Sequence, residues 1–227
     1  MTGRTKLVGL IGNPVEHSLS PAMQNAAFAA RGLDWAYLPL LVEDGGVEDA
    51  LRGLVALGFV GANVTAPHKE EVARLVAGGE LDSVNTLVVR GGSIEGHSTD
   101  TAILAGLPAI RPAIVGSGGA ATAFRAALPD ARIFSRRGDW PPDVGEADLV
   151  VHATSVRDEV LFTLSEGQAL IDLPYPETAT GRAARKAGAR VISGEEVLVA
   201  QGAAAFELWT GVAAPVEVMR AAVGLAG

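Results

Sequence analysis

The strongest constraint on the fold is a repeated alternation of short apolar runs with amphipathic segments. Strand-like runs cover Leu7–Ile11, Trp35–Leu41 and Phe59–Val64 in the first half of the chain. Each run is only a few residues long, which suits a buried strand better than a buried helix. Strand–helix units that repeat in this way predict parallel sheets covered by helices, and therefore an α/β fold.

Capping and stop signals predict the helices of the first half. Ser20 followed by Pro21 reads as a helix N-cap and a first helical residue, opening a helix to about Ala30. The remaining elements predicted in this half are helices over Val47–Leu57, Pro67–Val76 and Asp100–Leu107, a strand over Val84–Val89 and a turn at Gly91-Gly92.

The second half repeats the pattern with shorter strands. Strands are predicted over Ala113–Val115, Ala131–Phe134, Leu149–His152, Ala169–Asp172 and Arg190–Ile192. Helices are predicted over Ala120–Leu128, Thr178–Ala187, Glu195–Trp209 and Pro215–Val223.

Composition excludes several classes of function. Apolar residues make up 48% of the chain, but no run approaches the roughly 18 uninterrupted apolar residues of a membrane span. The first residues lead directly into a strand, so we expect no signal peptide. The net charge of −8 argues against nucleic acid as a partner. The chain has no Cys, and its histidines lack a metal-ligand spacing, so we expect no metal; they are His17, His68, His97 and His152.

A glycine-rich loop follows the strand predicted at Ala113–Val115. Residues 116–121 read Gly-Ser-Gly-Gly-Ala-Ala, which fits G-x-G-x-x-A and opens a helix. Glycines in that position let the backbone approach a pyrophosphate, whose charge the helix N-terminus favours. An ordinary Gly-rich turn between a strand and a helix is the alternative interpretation.

Two arginines follow the next strand, in Ser135-Arg136-Arg137. An NAD site usually has Asp or Glu here for the ribose 2′-hydroxyl, whereas a guanidinium suits a 2′-phosphate. The pattern therefore favours NADP, with a solvated basic corner as the alternative.

Lys69 is a candidate proton-transfer group. It is one of three lysines in a chain whose other basic residues are arginines, and a lysine loses its proton far more readily than an arginine. Asp100, in Ser98-Thr99-Asp100, is the candidate partner; a structural salt bridge is the alternative. Ser18, Ser20 and the pair Asn85-Thr86 offer polar groups that suit either helix caps and turns or a polyhydroxylated carboxylate ligand.

Taken together, these residues resemble the shikimate dehydrogenase family. The resemblance covers nearly the whole chain, and its most specific motif is the Asn-Val-Thr-x-Pro-x-Lys pattern in residues 63–69. The other motifs are Ser18-Leu19-Ser20-Pro21, Val84-Asn85-Thr86, Ser98-Thr99-Asp100, the Gly116 loop and residues 201–209, Gln-Gly-Ala-Ala-Ala-Phe-Glu-Leu-Trp.

The resemblance implies an N-terminal α/β substrate domain over residues 1–100, a compact Rossmann-type cofactor domain over 101–205, and a C-terminal helix at about 206–227 that returns to the first domain. It implies Lys69 and Asp100 as the catalytic pair. It assigns substrate binding to Ser18, Ser20, Thr65, Asn85, Tyr175 and Gln201. It assigns cofactor contacts to Gly116, Ser117, Gly118, Gly119, Ala120, Ser135, Arg136, Arg137, Thr154, Leu173 and Gly194.

The implied activity is NADP-dependent, reversible reduction of 3-dehydroshikimate to shikimate, a step of aromatic amino-acid biosynthesis, in a cytoplasmic monomer or homodimer. A quinate- or aminoshikimate-type dehydrogenase and a non-catalytic shikimate-binding relative are the alternatives. The chain departs from the family's usual pattern at His152, where Asn is common, and at Leu173 and Val197, where Met is common. The connection between Arg137 and Leu149 is also short, which predicts that a crossover helix is absent there.

Overall fold

The computed structural model describes residues 1–76 and 80–225, and the chain divides into two compact units. The first unit contains the described residues of Met1–Thr99 and Val199–Gly227, and the second contains Asp100–Leu198. Each unit has its own five-stranded sheet. Within the described residues, no helix combines the length and hydrophobicity needed to cross a bilayer.

The strands of the first unit lie in the order β2-β1-β3-β4-β5. They are β1 Lys6–Gly12, β2 Trp35–Leu41, β3 Phe59–Val64, β4 Thr86–Arg90 and β5 Ser93–His97. Strand β1 runs parallel to β2 and β3, but β4 is antiparallel to β3 and β5 is antiparallel to β4. The sheet is therefore mixed, and the prediction of purely parallel sheets is wrong for this unit.

A hairpin accounts for the antiparallel half of this sheet. Gly91 and Gly92 both have positive φ, 58° and 84°, which is the backbone that a two-residue hairpin turn requires. The turn was predicted, but the strand β5 that follows it was not. Its sequence, Ser-Ile-Glu-Gly-His, is polar and lies at the sheet edge, so no apolar run marks it.

The helix predicted over Asp100–Leu107 is wrong. This segment contains only a single 3₁₀ turn, Ala102–Leu104, and none of the residues in the turn is fully buried. Gly106 has a φ of 81°, which ends any helical continuation. A short helix in a protein depends on a well-packed apolar face, and the apolar side chains of this segment, Ile103, Leu104 and Leu107, are only partly buried.

The described helices are α1 Ser20–Ala30, α2 Val47–Ala56, α3 Lys69–Val76, α4 Gly119–Ala127, α5 Ala179–Lys186, α6 Gly194–Thr210 and α7 Val216–Ala222. In the first unit, Leu51 and Leu54 of α2 and Val72 of α3 pack with Ile11 and Phe59 of the sheet. Helix α7 packs against α1, which confirms the predicted return of the C-terminal helix.

The N-terminus of α1 differs from the prediction. Leu19, not Ser20, occupies the N-cap position, and no side chain caps the helix. Ser20 is already helical and 5% exposed, and its backbone N–H donates to Ser18 Oγ at 3.2 Å. The capping role predicted for Ser20 is therefore wrong, because Ser20 is the first residue inside the helix and its own N–H donates to the hydroxyl of Ser18.

The second unit has a wholly parallel sheet in the order β10-β9-β8-β6-β7. Its strands are β6 Pro112–Val115, β7 Arg132–Phe134, β8 Leu149–His152, β9 Ala169–Asp172 and β10 Arg190–Ile192. Residues 135–148 contain no helix, as the short connection predicted. The order is that of a dinucleotide-binding fold without its third strand, which leaves β7 at the edge.

Candidate functional site

Asn85 is the centre of a buried polar cluster in the first unit, and only 2% of its surface is exposed. Its Oδ1 accepts from the backbone N–H of Thr99 at 2.7 Å, and its Nδ2 donates to Thr99 Oγ1 at 3.0 Å. The same Nδ2 donates to Oε1 of Gln201 at 3.3 Å. Two predicted substrate-binding side chains, Asn85 and Gln201, therefore contact each other although 116 positions separate them.

A second layer of hydrogen bonds fixes the backbone next to Asn85. Asn63, at 4% exposure, donates through Nδ2 to the carbonyl of Asn85 and to Thr86 Oγ1, both at 3.0 Å. Tyr37 donates its hydroxyl to Asn63 Oδ1 at 2.8 Å. Asn63, Tyr37 and Thr99 were not predicted as site residues. Asn63 and Thr99 lie inside motifs of the resemblance, whereas no sequence signal connects Tyr37 with them.

The other predicted substrate residues of this unit follow the ends of strands and the start of a helix. Ser18 and Thr65 are half-buried, and Ser20 lies in the first turn of α1. The backbone of Thr65 donates to the carbonyl of Ile11 at 2.8 Å, which places it beside the end of β1. Gly12 makes room there, because a Cβ at this position would collide with the methyl group of Thr65.

Lys69 is the first residue of α3 and is half-buried. Its carbonyl accepts from the backbone N–H of Val84 at 3.2 Å, which joins the start of α3 to the residue before Asn85. The preceding residue, His68, is buried, and its Nε2 lies 2.7 Å from the carbonyl of Val42. Asp100 is 8% exposed and begins the second unit. The pairing of Lys69 with Asp100 stays a prediction.

The glycine loop lies at the carboxyl end of β6, where open α/β sheets bind their ligands. Gly116 has a φ of 142°, and a Cβ there would collide with the carbonyl of Ala153 at the end of the neighbouring strand β8. Gly118 occupies the N-cap of α4 in an extended conformation, and both Ser117 and Gly118 are exposed. Gly119 and Ala120 form the first turn of this helix. The loop therefore presents backbone and a helix N-terminus without side-chain obstruction.

The basic residues lie directly after β7. Ser135 is half-buried, its carbonyl accepts from the N–H of Gly138 at 2.9 Å, and Arg136 and Arg137 are exposed on this turn. The guanidinium of Arg136 stands 5.8 Å from the ring centre of Trp140, a cation–π distance. Arg136 therefore lies beside an aromatic neighbour while its side chain stays exposed.

Three further predicted cofactor residues meet near the ends of β8 and β9. Thr154 Oγ1 lies 2.7 Å from Nε2 of His152, the last residue of β8. Gly194 starts α6, and a Cβ there would collide with the carbonyls of Leu173 and Pro174. Tyr175, predicted to bind substrate, is half-buried in the same segment, and its carbonyl accepts from the guanidinium of Arg157. The described residues contain no cluster of three or more potential metal ligands.

These features define an α/β protein with one Rossmann-type unit and one unit that holds a buried polar cluster. Residues 10–87 match the family model of the shikimate dehydrogenase substrate binding domain, and residues 194–223 match that of the shikimate 5′-dehydrogenase C-terminal domain. The chain therefore belongs to the shikimate dehydrogenase family, since full-length relatives support the same assignment.

One such relative is the shikimate dehydrogenase (NADP(+)) of Anaeromyxobacter sp. (strain Fw109-5), which is 40% identical with 100% of this chain and 99% of the relative covered. Among solved structures, shikimate dehydrogenase from Aquifex aeolicus gives a TM-score of 0.89 at 29% identity, covering 99% of both chains. The Thermus thermophilus enzyme, solved in complex with NADP(H) and shikimate, gives 0.84 at 28% identity, covering 96% of this chain and 98% of that one. The family prediction is confirmed.

Proposed function

We propose that this chain catalyses the NADP-dependent, reversible reduction of 3-dehydroshikimate to shikimate. The observation that carries the proposal is the hydrogen-bonded cluster of Asn85, Thr99 and Gln201, which lies in a chain related over its full length to shikimate dehydrogenases (NADP(+)). Amide groups held by several partners keep one orientation, and this is what selective binding of several hydroxyl groups requires.

The substrate carries a carboxylate and ring hydroxyls, and the side chains of the first unit suit both. The hydroxyls of Ser18, Ser20 and Thr65 bind a carboxylate or a ring oxygen, and the amides of Asn85 and Gln201 bind ring hydroxyls. Tyr175 is the remaining member of the proposed substrate set.

The second unit fits a phosphorylated dinucleotide. The bare backbone at Gly116 and Gly118 admits a pyrophosphate close to the N-terminus of α4, whose N–H groups favour negative charge. Ser135, Arg136 and Arg137 lie where a 2′-phosphate would distinguish NADP from NAD. When bound, NADPH supplies the hydride for the ring ketone. Thr154, Leu173 and Gly194 complete the proposed contacts.

Lys69 and Asp100 are the proposed proton-transfer pair. Reduction of a ketone develops negative charge on its oxygen, and an ammonium group stabilises that charge and gives up a proton to it. In the oxidation direction, the Nζ of Lys69 takes the proton from the substrate hydroxyl. Asp100 orients the ammonium and accepts from a ring hydroxyl.

The direct test follows the absorbance of the reduced nicotinamide with purified protein. Shikimate with NADP should give a steady rise, and 3-dehydroshikimate with NADPH a fall. Quinate and NAD serve as matched comparisons for substrate and cofactor. A higher kcat/KM for quinate or for NAD would replace the proposal with the related dehydrogenase, and tight shikimate binding without turnover would indicate a non-catalytic relative.

The cellular setting belongs to the same proposal. We propose that the chain acts in the cytoplasm as a monomer or a homodimer, which is the setting that the resemblance implies. Sedimentation velocity on the purified chain over a concentration series measures the assembly state, and a larger oligomer would contradict it.

A further inference from the structure

His152 and Asp172 form a fully buried polar pair that the proposed reaction does not use. Both side chains are 0% exposed, and His152 Nδ1 lies 2.7 Å from Asp172 Oδ1. The two residues are direct neighbours across the parallel strands β8 and β9, at the carboxyl ends where a Rossmann-type unit binds its nucleotide. Buried ionisable groups are costly unless each is fully hydrogen-bonded, so their partners determine what the pair does.

Asp172 is held rigidly from the side opposite His152. Its Oδ2 accepts from the backbone N–H of Thr178 at 3.0 Å and from the hydroxyl of Thr178 at 2.9 Å. Thr178 is also the N-cap of α5, and its Oγ1 accepts from the N–H of Gly181 at 3.0 Å. Gly181 is required beside the carboxylate, because a Cβ there would collide with Asp172 Oδ2.

This anchoring holds the carboxylate of Asp172 against Nδ1 of the His152 ring. A carboxylate only accepts hydrogen bonds, so the hydrogen that joins His152 to Asp172 belongs to Nδ1. In a neutral ring Nε2 is then the acceptor, and its partner at 2.7 Å is the hydroxyl of Thr154. With the ring in this neutral form, Thr154 donates its hydrogen to His152, while its oxygen accepts from the N–H of Val156 at 3.2 Å. The edge of Phe162 closes the other side of the ring, with 5.9 Å between ring centres.

We propose that His152, locked by Asp172, is a positioning residue that makes the Thr154 hydroxyl an acceptor for an N–H or O–H group of the bound nucleotide. The inference rests on the proposed function, which assigns Thr154 to the cofactor. With its hydrogen committed to His152, Thr154 has no hydrogen to offer a phosphate oxygen. Its remaining lone pair suits the carboxamide N–H₂ of a nicotinamide or a ribose hydroxyl.

The test is a double-mutant cycle on NADPH affinity, measured by fluorescence titration without substrate. His152→Asn is the informative variant, since its amide nitrogen still reaches Asp172 but the side chain is too short to reach Thr154. It should weaken NADPH about three- to tenfold, the ratio given by one net hydrogen bond. Thr154→Val should weaken NADPH binding by a similar factor, whereas Thr154→Ser, which keeps a hydroxyl, should bind NADPH as tightly as the wild type. In Thr154→Val, adding His152→Asn should cause no further loss.

A purely structural role predicts a different pattern. In that case His152→Asn lowers the melting temperature and weakens NADPH by the same factor whether or not Thr154 is present, which would overturn the inference. The ¹⁵N shifts of the His152 ring give a second measurement that needs no mutation. They should show a protonated Nδ1 and an acceptor Nε2, and a ring protonated at Nε2, with or without a proton on Nδ1, would also overturn it.

A cofactor analogue shows which group of the nucleotide, the carboxamide or a ribose hydroxyl, donates to Thr154. The reduced 3-acetylpyridine analogue of NADP has no carboxamide N–H. If the carboxamide is the donor, Thr154→Val should leave affinity for this analogue unchanged; if a ribose hydroxyl is the donor, the loss should equal that with NADPH. If the effects of His152→Asn and Thr154→Val on NADPH affinity are coupled but the protein does not turn over shikimate, only the proposed function is contradicted. If the protein turns over shikimate but the two effects are independent, only this inference is contradicted.

Discussion

Asn85 keeps a single orientation because neighbouring side chains occupy both ends of its amide. The sequence motif identified Asn85 itself, but it did not identify Tyr37, which supports Asn85 through Asn63. Tyr37 lies 26 positions before Asn63, and no periodicity or spacing rule connects two such distant positions. Support of this kind becomes visible only when the strands are paired in three dimensions.

Tyr37→Phe is predicted to destabilise the first unit and to loosen Asn85. The change removes one hydroxyl and leaves Oδ1 of the buried Asn63 without its donor, which costs about 1–3 kcal/mol. Urea unfolding measures that loss, and titration with shikimate measures the weaker binding. NADPH affinity, which the proposed function assigns to the second unit, serves as the control and should stay unchanged. Unfolding at the wild-type urea concentration would show that the hydroxyl contributes nothing.

Lys69→Ala is predicted to lower turnover by a factor of at least about one hundred, because a general acid typically contributes this much. The KM for shikimate should change much less, since hydroxyl and amide groups supply most of the proposed binding. Steady-state kinetics in both directions measure the split. Lys186→Ala, at the exposed end of α5, is the matched control and should keep the wild-type rate. A Lys69→Ala enzyme with near-normal kcat would remove the proton-transfer role.

The strands were more predictable than the segments between them. Trp35–Leu41, Phe59–Val64 and Leu149–His152 have the predicted bounds, because each is a short apolar run; the last two are also largely buried. Strand β5 was missed, and Asp100–Leu107 was wrongly predicted to be a helix. No residue of β5 or of the 3₁₀ turn Ala102–Leu104 is fully buried. Where a segment packs few apolar groups, its hydrophobic pattern carries little information, and its conformation depends on contacts with other parts of the chain.

Asp148 ties the segment before β6 to the start of β8. It accepts from the backbone N–H groups of Ile110 at 2.9 Å and Arg111 at 3.0 Å. Partial burial acts to raise the pKa of Asp148, but these backbone N–H groups outweigh it and hold the pKa below its ordinary value. A carboxyl group with a lowered pKa in the folded state stabilises the fold above its unfolded pKa of about 4. That stabilisation is lost as the pH falls through the folded pKa.

Asp148→Asn is therefore predicted to reduce the free energy of unfolding by about 1 kcal/mol at pH 7, because a neutral amide accepts more weakly than a carboxylate. The difference from wild type should shrink as the pH falls below about 4, where the aspartate becomes neutral too. Denaturant unfolding at a series of pH values measures it. Asp130→Asn, on the exposed turn before β7, is the control. A deficit that persists unchanged at low pH would assign the effect to packing instead of charge.

The family and the α/β class were inferred from patterns along the chain, and the comparisons confirm both. The NADP-dependent activity was inferred from the same motifs, and relatives of the chain carry the name shikimate dehydrogenase (NADP(+)). These features are predictable from sequence because the motifs occur along the chain in the family's order. The individual binding roles stay predictions, since they depend on the positions of a substrate and a cofactor. The network of His152 and Asp172 was not predicted: His152 was noted for lacking a metal-ligand spacing and for standing where Asn is common, and neither observation connects it with Asp172.

The overall charge of −8 opposes the binding of an anionic cofactor, so local arginines must supply the attraction. Arg136→Ala is predicted to weaken NADP about ten- to hundredfold, the range for a lost charged hydrogen bond, and to leave NAD nearly unchanged. The wild-type Kd for NADP should also rise more steeply with added salt than the Kd for NAD, because screening weakens the contact with the 2′-phosphate. Arg132→Ala, where the guanidinium stands 5.0 Å from the ring of Phe134 on the same strand, is the control and should leave the NADP-to-NAD ratio unchanged. Parallel losses of both cofactors in Arg136→Ala would mean that this arginine does not contact the 2′-phosphate, and the cofactor preference would then have to come from Ser135 or Arg137.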